Sequence, residues 1–396
     1  MTLAALSKNL RESLKQGLRF HLVSDGNVTS GLANELLKQA QPRLETFGPY
    51  TLLHSPQVPD LWQALVHESA GNNTLVILPP ASTAETEILL QQLPNTAPPG
   101  AAVALFTSGT SGEAKAVFHS DRSLLANALQ LARALPGKNP SCSLLPAWGM
   151  AGFAFHCLLP GLRGGSHLFS SQPFFQWSGR AGEIFQTLDL DFVSLNPFLL
   201  EMFCRGGIPP GWKGKIISLT APLKDQLKSE LKQRWNREAE EIYGMTEAAG
   251  PVLFEGKSLG AEIRLGQDQE LELRGEQLFL GYGIEGSFEP QRDWFRSGDI
   301  FEEKEGKFLH VGRNRDLIDS GGRKVPPRMI EEVMERMPEI AESLAFPITL
   351  AGLERPGLIY KRNPACSLSE DELRRKVENF IATQFSGELR PKWWLE

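Results

Sequence analysis

Cysteine is scarce: the 396 residues contain four, Cys142, Cys157, Cys204 and Cys366, with no C-x-x-C spacing among them. Neither a disulfide framework nor a zinc site is indicated, and a reducing compartment fits. Basic charge is not in excess either. Lys and Arg number 41 against 47 Asp and Glu, a net charge of −6, which gives no electrostatic reason to expect nucleic acid or an anionic membrane as partner. The first residues place Lys8, Arg11 and Lys15 among polar neighbours with no continuous apolar stretch. No secretory signal is expected, and the expectation is a cytoplasmic protein. Residues 144–162 hold no Asp, Glu, Lys or Arg, but Pro146, Pro160 and several glycines interrupt them. A strand end, a turn and a buried helix are expected there rather than a membrane span. Internal repeats and low-complexity segments are missing as well.

What is present is an alternation of apolar strand candidates with helix-length segments. Strands are expected at 74–78, 102–106, 166–169, 192–195 and 216–219, the pattern of a layered α/β domain. From about 260 to 310 the spacing shortens, and short strands at 270–274 and 308–311 with glycine turns suggest a β-rich subdomain. Helices are expected at 327–337 and 369–385, flanking short strands in a compact α+β unit.

The most telling segment is Thr107-Ser108-Gly109-Thr110-Ser111-Gly112-Glu113-Ala114-Lys115, directly behind an apolar strand. Glycines let successive N–H groups converge on an anion, hydroxyls add donors, and lysine supplies a full charge. The spacing is not G-x-x-x-x-G-K-[ST], so a Walker-type loop is excluded. Taken alone, the run also leaves an ordinary surface loop open as the lesser alternative. Three further segments argue against that: Tyr243-Gly244-Met245-Thr246-Glu247 after a strand-like run, Trp294-Phe295-Arg296-Ser297-Gly298-Asp299 closing a β-rich region, and Gly312-Arg313-Asn314-Arg315-Asp316 ahead of a helix-like run.

In that order the four segments resemble the signature motifs of the adenylate-forming superfamily: acyl- and aryl-CoA synthetases, luciferase and peptide-synthetase adenylation domains. The resemblance covers roughly residues 100–390 and is specific because four weak motifs are collinear. It implies a large AMP-binding domain over 1–312 whose β-rich subdomain occupies about 255–311, a hinge at 313–316 with Arg315 as pivot, and a small mobile C-terminal lid over 317–396.

The resemblance also implies roles. Thr107, Ser108, Gly109, Thr110, Ser111, Gly112 and Lys115 grip the β- and γ-phosphates of ATP. Tyr243 and Gly244 pack on adenine, together with the Thr220-Ala221 turn, where the usual glycine-glycine-alanine is replaced. Thr246 touches the α-phosphate and Glu247 holds Mg²⁺, a hard cation that a single carboxylate suits. Thr246, Glu247 and Lys115 would be the catalytic set. Asp299 and Arg313 grip the ribose. Trp148, Gly149, Asn196 and Met245 line the acyl pocket, with Gly149 standing where many relatives carry histidine. His156 is a doubtful stand-in, because a histidine in an apolar helix is more often a paired core residue. Arg163, Arg205 and Asn196 are candidates for a second substrate carboxylate. Ser320, Gly321 and Gly322 line the CoA tunnel, and Arg323 and Lys324 could meet CoA phosphates.

The implied reaction is ATP-dependent activation of a carboxylic acid through an acyl-adenylate, then thioester formation with CoA, with ATP, Mg²⁺ and CoA required. The short frame and aromatic-lined pocket most resemble aryl-acid ligases, o-succinylbenzoate CoA ligases of menaquinone synthesis first among them. A stand-alone enzyme loading a carrier protein, and a catalytically impaired nucleotide-binding homologue, stay open as alternatives, as does a homodimer. The last residues, Arg390-Pro391-Lys392-Trp393-Trp394-Leu395-Glu396, resemble the segment that precedes the family's C-terminal catalytic lysine, so the lid is expected to be shortened and that lysine absent.

Overall fold

The computed structural model describes all residues except 1–3, 25, 68–72, 109–113, 136, 138–140, 210, 321–322, 351–352, 386, 388–389 and 396. The chain divides into two compact units, Met1–Ile263 with Arg274–Phe295, and Arg264–Leu273 with Arg296–Glu396.

The first unit is a mixed α/β body built on two large sheets. One has nine strands, in the order Lys257–Ser258, Gly250–Phe254, Ala239–Met245, Lys215–Leu219, Phe192–Leu195, Ser141–Ser143, Ser166–Ser170, Arg19–Ser24 and Asn27–Leu32. Its six inner strands run parallel, and the strands added at either edge are antiparallel. The other has seven: Ser287–Pro290, Gly281–Ile284, Ala114–His119, Val103–Ser108, Thr74–Leu78, Tyr50–His54 and Leu44–Phe47. Strands covered on both faces read as continuous apolar runs. Thr74-Leu75-Val76-Ile77-Leu78 is such a run, and all five residues are buried.

Helices cover these sheets with one apolar stripe each. In Ala4–Lys15 the buried leucines are Leu6 and Leu10; in Asp121–Ala134, a helix started by a Ser120–Ser123 capping box, the buried stripe holds Leu124, Ala128 and Leu131. Trp62, fully buried, stands edge-on to Phe20 at 5.3 Å and donates its indole N–H to His156 O at 2.8 Å. The uncharged stretch 144–162 becomes the helix Met150–Phe153, a π-helical turn Ala154–Leu158 and the helix Leu159–Arg163. Among the described residues no helix is long and apolar enough to cross a membrane.

The second unit contains the strands Glu270–Arg274, Phe295–Lys304 and Lys307–Arg313. It continues with the hairpin Ile318–Ser320/Arg323–Val325, the long hairpin Ile340–Leu350/Leu353–Arg362, and Trp393–Leu395 laid parallel beside the latter. Helices Pro327–Met334 and Glu370–Gln384 bury Ile330, Met334, Leu373, Val377 and Ile381 against this sheet's Leu358 and Tyr360. A hairpin, not a helix, follows Asp316. β-branched Ile318 and Val325 face each other across it, and the helix begins only at Pro327, whose fixed φ and missing N–H suit a first turn. The helix stops at Met334, three residues short of expectation. Tightened turns at Arg336 and Met337 lead into Pro338, which disfavours helical geometry in the residue before it.

Candidate nucleotide and acid site

In an open parallel sheet, ligands bind outside the carboxyl ends of the strands. Four adjacent parallel strands of the nine-stranded sheet end at one edge: Ser141–Ser143, Phe192–Leu195, Lys215–Leu219 and Ala239–Met245. Asn196, Thr220 with Ala221, and Thr246 with Glu247 directly follow the last three of these strands, and Trp148 and Gly149 lie on the segment that leaves the first. Residues separated by about a hundred positions in sequence are thereby delivered to neighbouring strand ends. Leu219 pairs with Ile242, so Thr220 and Tyr243 follow side by side.

Local backbone explains several residue choices. Gly244 lies at a register shift of the strand pair, and a Cβ there would meet Gly250 O at 2.5 Å and Pro251 Cα at 2.9 Å. Only glycine fits. Thr220 has φ of 76°, an uncommon conformation for a β-branched residue, and such strain collects at functional sites. Gly149 is the opposite case from Gly244. Its φ is −92°, and a Cβ would meet only Pro146 O at 3.8 Å, so the position has room for a side chain. Trp148 beside it is half-buried. Asn196 caps the helix Pro197–Gly206, its Oδ1 accepting from Leu199 N at 2.8 Å, which leaves the amide NH₂ end for other contacts. Phe198, in the first turn of that helix, is two-thirds exposed.

Gly109, Thr110, Ser111 and Gly112 of the glycine-rich loop lie outside the described residues, and of Ser108 only the backbone is described. The loop's two stems pair as an antiparallel hairpin that sets Lys115 opposite Thr107. The Lys115 ammonium lies 5.1 Å from the centroid of the Tyr282 ring, a cation–π contact. Tyr282 comes from the neighbouring strand Gly281–Ile284, in register with Val117, and its hydroxyl donates to Glu247 Oε1 at 2.8 Å. Burial first, then the Glu247 charge and this hydrogen bond, raise the phenol's pKa. A cation, a phenol and a carboxylate thus form one chain of contacts.

Sequence reasoning missed Tyr282. The available signal was its flanking glycines: a Cβ on Gly281 would meet Glu289 O at 2.1 Å, and one on Gly283 would meet Gln92 O at 2.6 Å.

His156 is a core residue. Its Nε2 donates to Leu145 O at 2.9 Å, its Nδ1 faces His167 Nε2 at 2.9 Å, and burial pushes its pKa down to about 4. Arg163 donates to Ala132 O and Leu135 O, and the mostly exposed Arg205 side chain lies 3.7 Å from Glu201.

In the second unit Asp299 is 5% exposed and pairs across the strands with Arg313, whose Nε lies 3.2 Å from Asp299 Oδ1. His310 Nε2 lies 3.8 Å from the same oxygen. Gly298 has φ of 76° and donates its N–H to Glu270 Oε1 at 2.8 Å, bending the chain just before Asp299. Ser320 is fully buried at the end of its strand; Gly321 and Gly322 lie outside the described residues, and of Arg315, Arg323 and Lys324 only the backbone is described.

These features describe a mixed α/β body with candidate site residues gathered at the carboxyl edge of one sheet. Residues 19–277 match the AMP-binding enzyme family, and the chain belongs to that family. It is 27% identical over 288 residues to the sulfoacetate–CoA ligase of Cupriavidus necator, covering 64% of this chain and 55% of that protein. In general the chain spans just over half the length of the curated relatives it matches. Among solved structures, the anthranilate CoA ligase AuaEII in complex with anthranoyl-AMP superposes with a TM-score of 0.77 at 15% identity, covering 99% of this chain and 93% of that one. The O-succinylbenzoate Coenzyme A Synthetase from Bacillus subtilis in complex with AMP gives 0.72 at 16%, covering 98% and 94%. At these identities the likeness is one of fold.

Proposed function

We propose that the protein activates a carboxylic acid with ATP and transfers the acyl group to CoA. The observation that carries this reading is the shared carboxyl edge of four parallel strands, which supplies candidate residues for the acid, the adenine and the α-phosphate from adjacent strand ends. Family membership and the CoA-ligase names of the relatives support it.

In the first step a carboxylate oxygen attacks the α-phosphorus, the bond to the β-phosphate oxygen breaks, and pyrophosphate leaves. Two anions must approach, so donors and cations have to stand ready where charge accumulates. Lys115 screens the β- and γ-phosphates and the departing pyrophosphate, with Thr107 opposite it. The Thr246 hydroxyl donates to the α-phosphate. Tyr243, Gly244, Thr220 and Ala221 form the adenine side, and Asp299 with Arg313 reads the ribose hydroxyls. Among the described residues no three His, Cys, Asp or Glu side chains converge as a metal-binding group. A Mg²⁺ ion would be held by Glu247, whose carboxylate oxygens suit a hard cation, and would supply charge neutralisation. In the second step the CoA sulfur attacks the acyl carbon, the thiol proton is released and AMP leaves, with the strand end at Ser320 beside the thiol's approach.

The acid is aromatic, o-succinylbenzoate or a relative of it. Trp148 offers a flat apolar wall, and the open space at Gly149 suits a planar ring. The test is exchange of labelled pyrophosphate into ATP across a panel of aromatic and aliphatic acids, with mass spectrometry for acyl-CoA products. Aromatic acids are expected to drive exchange. Absence of exchange with every acid, in a protein that binds ATP, would overturn the reading.

A further inference from the structure

The turn that carries Thr246 and Glu247 is held through its backbone from three directions. Thr246 O accepts from His119 Nε2 at 2.8 Å and from Ala249 N at 3.1 Å. Glu247 O accepts from Phe279 N at 2.8 Å. Ala248 O accepts from Asn127 Nδ2 at 3.1 Å, and the same amide reaches Pro251 O at 2.7 Å. Three successive carbonyls thus have partners from the end of the strand Ala114–His119, from the segment ahead of the strand Gly281–Ile284, and from the helix Asp121–Ala134. Such bracing is needed, because Ala249 has φ of 57° and Gly250 has 119°. A strained non-glycine backbone persists only where its surroundings over-determine it.

His119 is the member of this set whose chemistry is most constrained. It is fully buried. A carbonyl oxygen can only accept, so Nε2 carries the proton, and Nδ1 is left facing Ser123 Oγ at 3.4 Å. Burial holds the ring neutral, with its pKa pushed down to about 4. Residues i and i+4 of a strand share a face. The strand that points Lys115 at the Tyr282 ring therefore sends His119 from the same face to the Thr246 carbonyl.

We infer that His119 is a positioning residue: its neutral Nε2–H imidazole fixes the Thr246–Glu247 turn against the strand carrying Lys115, so that the Thr246 hydroxyl and the Glu247 carboxylate are presented together to Mg·ATP. The imidazole itself touches no substrate. This rests on the nucleotide-binding reading of Thr246 and Glu247 above.

The test compares His119→Gln, which keeps an N–H donor of similar reach, with His119→Leu, which fills the space without one. Three quantities are measured: Mg·ATP affinity by calorimetry, hydrogen exchange at the Ala249 and Phe279 amides that bond to the turn, and thermal stability. The Leu variant is expected to lose about tenfold or more in Mg·ATP affinity and to exchange those amides about tenfold faster, the scale of one lost buried hydrogen bond. The Gln variant should stay within about threefold of wild type. A folded Leu variant with wild-type affinity and exchange overturns the inference, and so does a Gln variant as impaired as Leu. If the Leu variant does not fold, the Gln variant decides together with ¹⁵N NMR of the wild-type ring. An Nε2–H tautomer with near wild-type Gln affinity sustains the inference; an Nδ1–H tautomer or a charged ring at pH 7 overturns it. A wild-type protein that does not bind Mg·ATP overturns the functional reading instead, and the exchange measurement still reports on His119.

Discussion

The Tyr282 hydroxyl donates to the Glu247 carboxylate at 2.8 Å, tying a strand of the seven-stranded sheet to the turn that ends a strand of the nine-stranded one. Tyr282→Phe removes the donor and leaves the ring under Lys115. Hydrogen bonds to charged groups contribute about 1.5–3 kcal/mol, so urea unfolding should show a loss of that order. The Mg²⁺ concentration needed for half-maximal pyrophosphate exchange should shift as well, because the carboxylate is no longer oriented. An unchanged unfolding free energy would mean that the bond contributes nothing in solution.

Lys115→Met should lower kcat/KM for ATP by roughly 10²–10³, the usual cost of removing one donor from a site of developing charge. Lys115→Arg should not restore it fully, since a forked guanidinium differs in shape and reach from a compact ammonium. Steady-state kinetics with ATP varied at saturating acid makes the comparison. A Met variant with wild-type kcat/KM would remove Lys115 from the phosphate site.

Acid should destabilise the protein through its buried histidines. His119 and His156 are pushed from the usual 6.5 to about 4 by burial, and His167 is held well below 6.5 by burial and by its neighbours His156 and His21. A folded pKa below the unfolded one means that, as pH falls from about 6.5 towards 4, the unfolded chain takes up protons that the folded chain refuses. Stability is therefore full above the unfolded value and declines through that window, by about 3 kcal/mol for each of the first two groups. Urea titrations at pH 7.5 and 4.5 measure the difference. His156→Gln should flatten the dependence, and a profile already flat in the wild type would contradict the burial argument.

How much was legible in the sequence depends on whether the signal was local. The strand expectations at 74–78, 192–195 and 270–274 coincide with the observed strands, because a continuous apolar run such as Leu-Val-Ile-Leu and a strict alternation such as Glu-Leu-Glu-Leu are both local strand signals. The Tyr-Gly-Met-Thr-Glu pentad was expected after a strand-like run and lies at the end of one, Ala239–Met245, its glycine facing backbone 2.5 Å from where a Cβ would stand. Tyr282 was marked only by its flanking glycines, which signal a close approach but not the partner. It meets Glu247 only because Gly281–Ile284 pairs with Ala114–His119, a cross-strand neighbourhood that no local pattern encodes. The strand order of the nine-stranded sheet was hidden likewise: Arg19–Ser24 lies beside Ser166–Ser170, and only long crossovers bring the two together. Asn196 shows a third limit. Its position at a strand end was readable, but its side-chain oxygen serves the helix it starts.

Two glycines of the site should respond in opposite ways to one added methyl group. Gly149 has an extended backbone that any residue adopts, and the nearest atom to a new Cβ is Pro146 O at 3.8 Å. Gly149→Ala should leave stability within about 0.5 kcal/mol of wild type, or raise it slightly by restricting the unfolded chain, while narrowing the space offered to the acid. Gly244→Ala forces a Cβ against Gly250 O and Pro251 Cα, both main-chain atoms that cannot swing aside. It should destabilise by about 1–3 kcal/mol and displace the adjoining Thr246–Glu247 turn, so that exchange activity falls more than stability alone explains. Paired urea unfolding curves and acid-preference profiles test both. If Gly149→Ala lowers activity equally for every acid, position 149 does not select the acyl group; if Gly244→Ala is neutral, the close approach of the two chains is not maintained in solution.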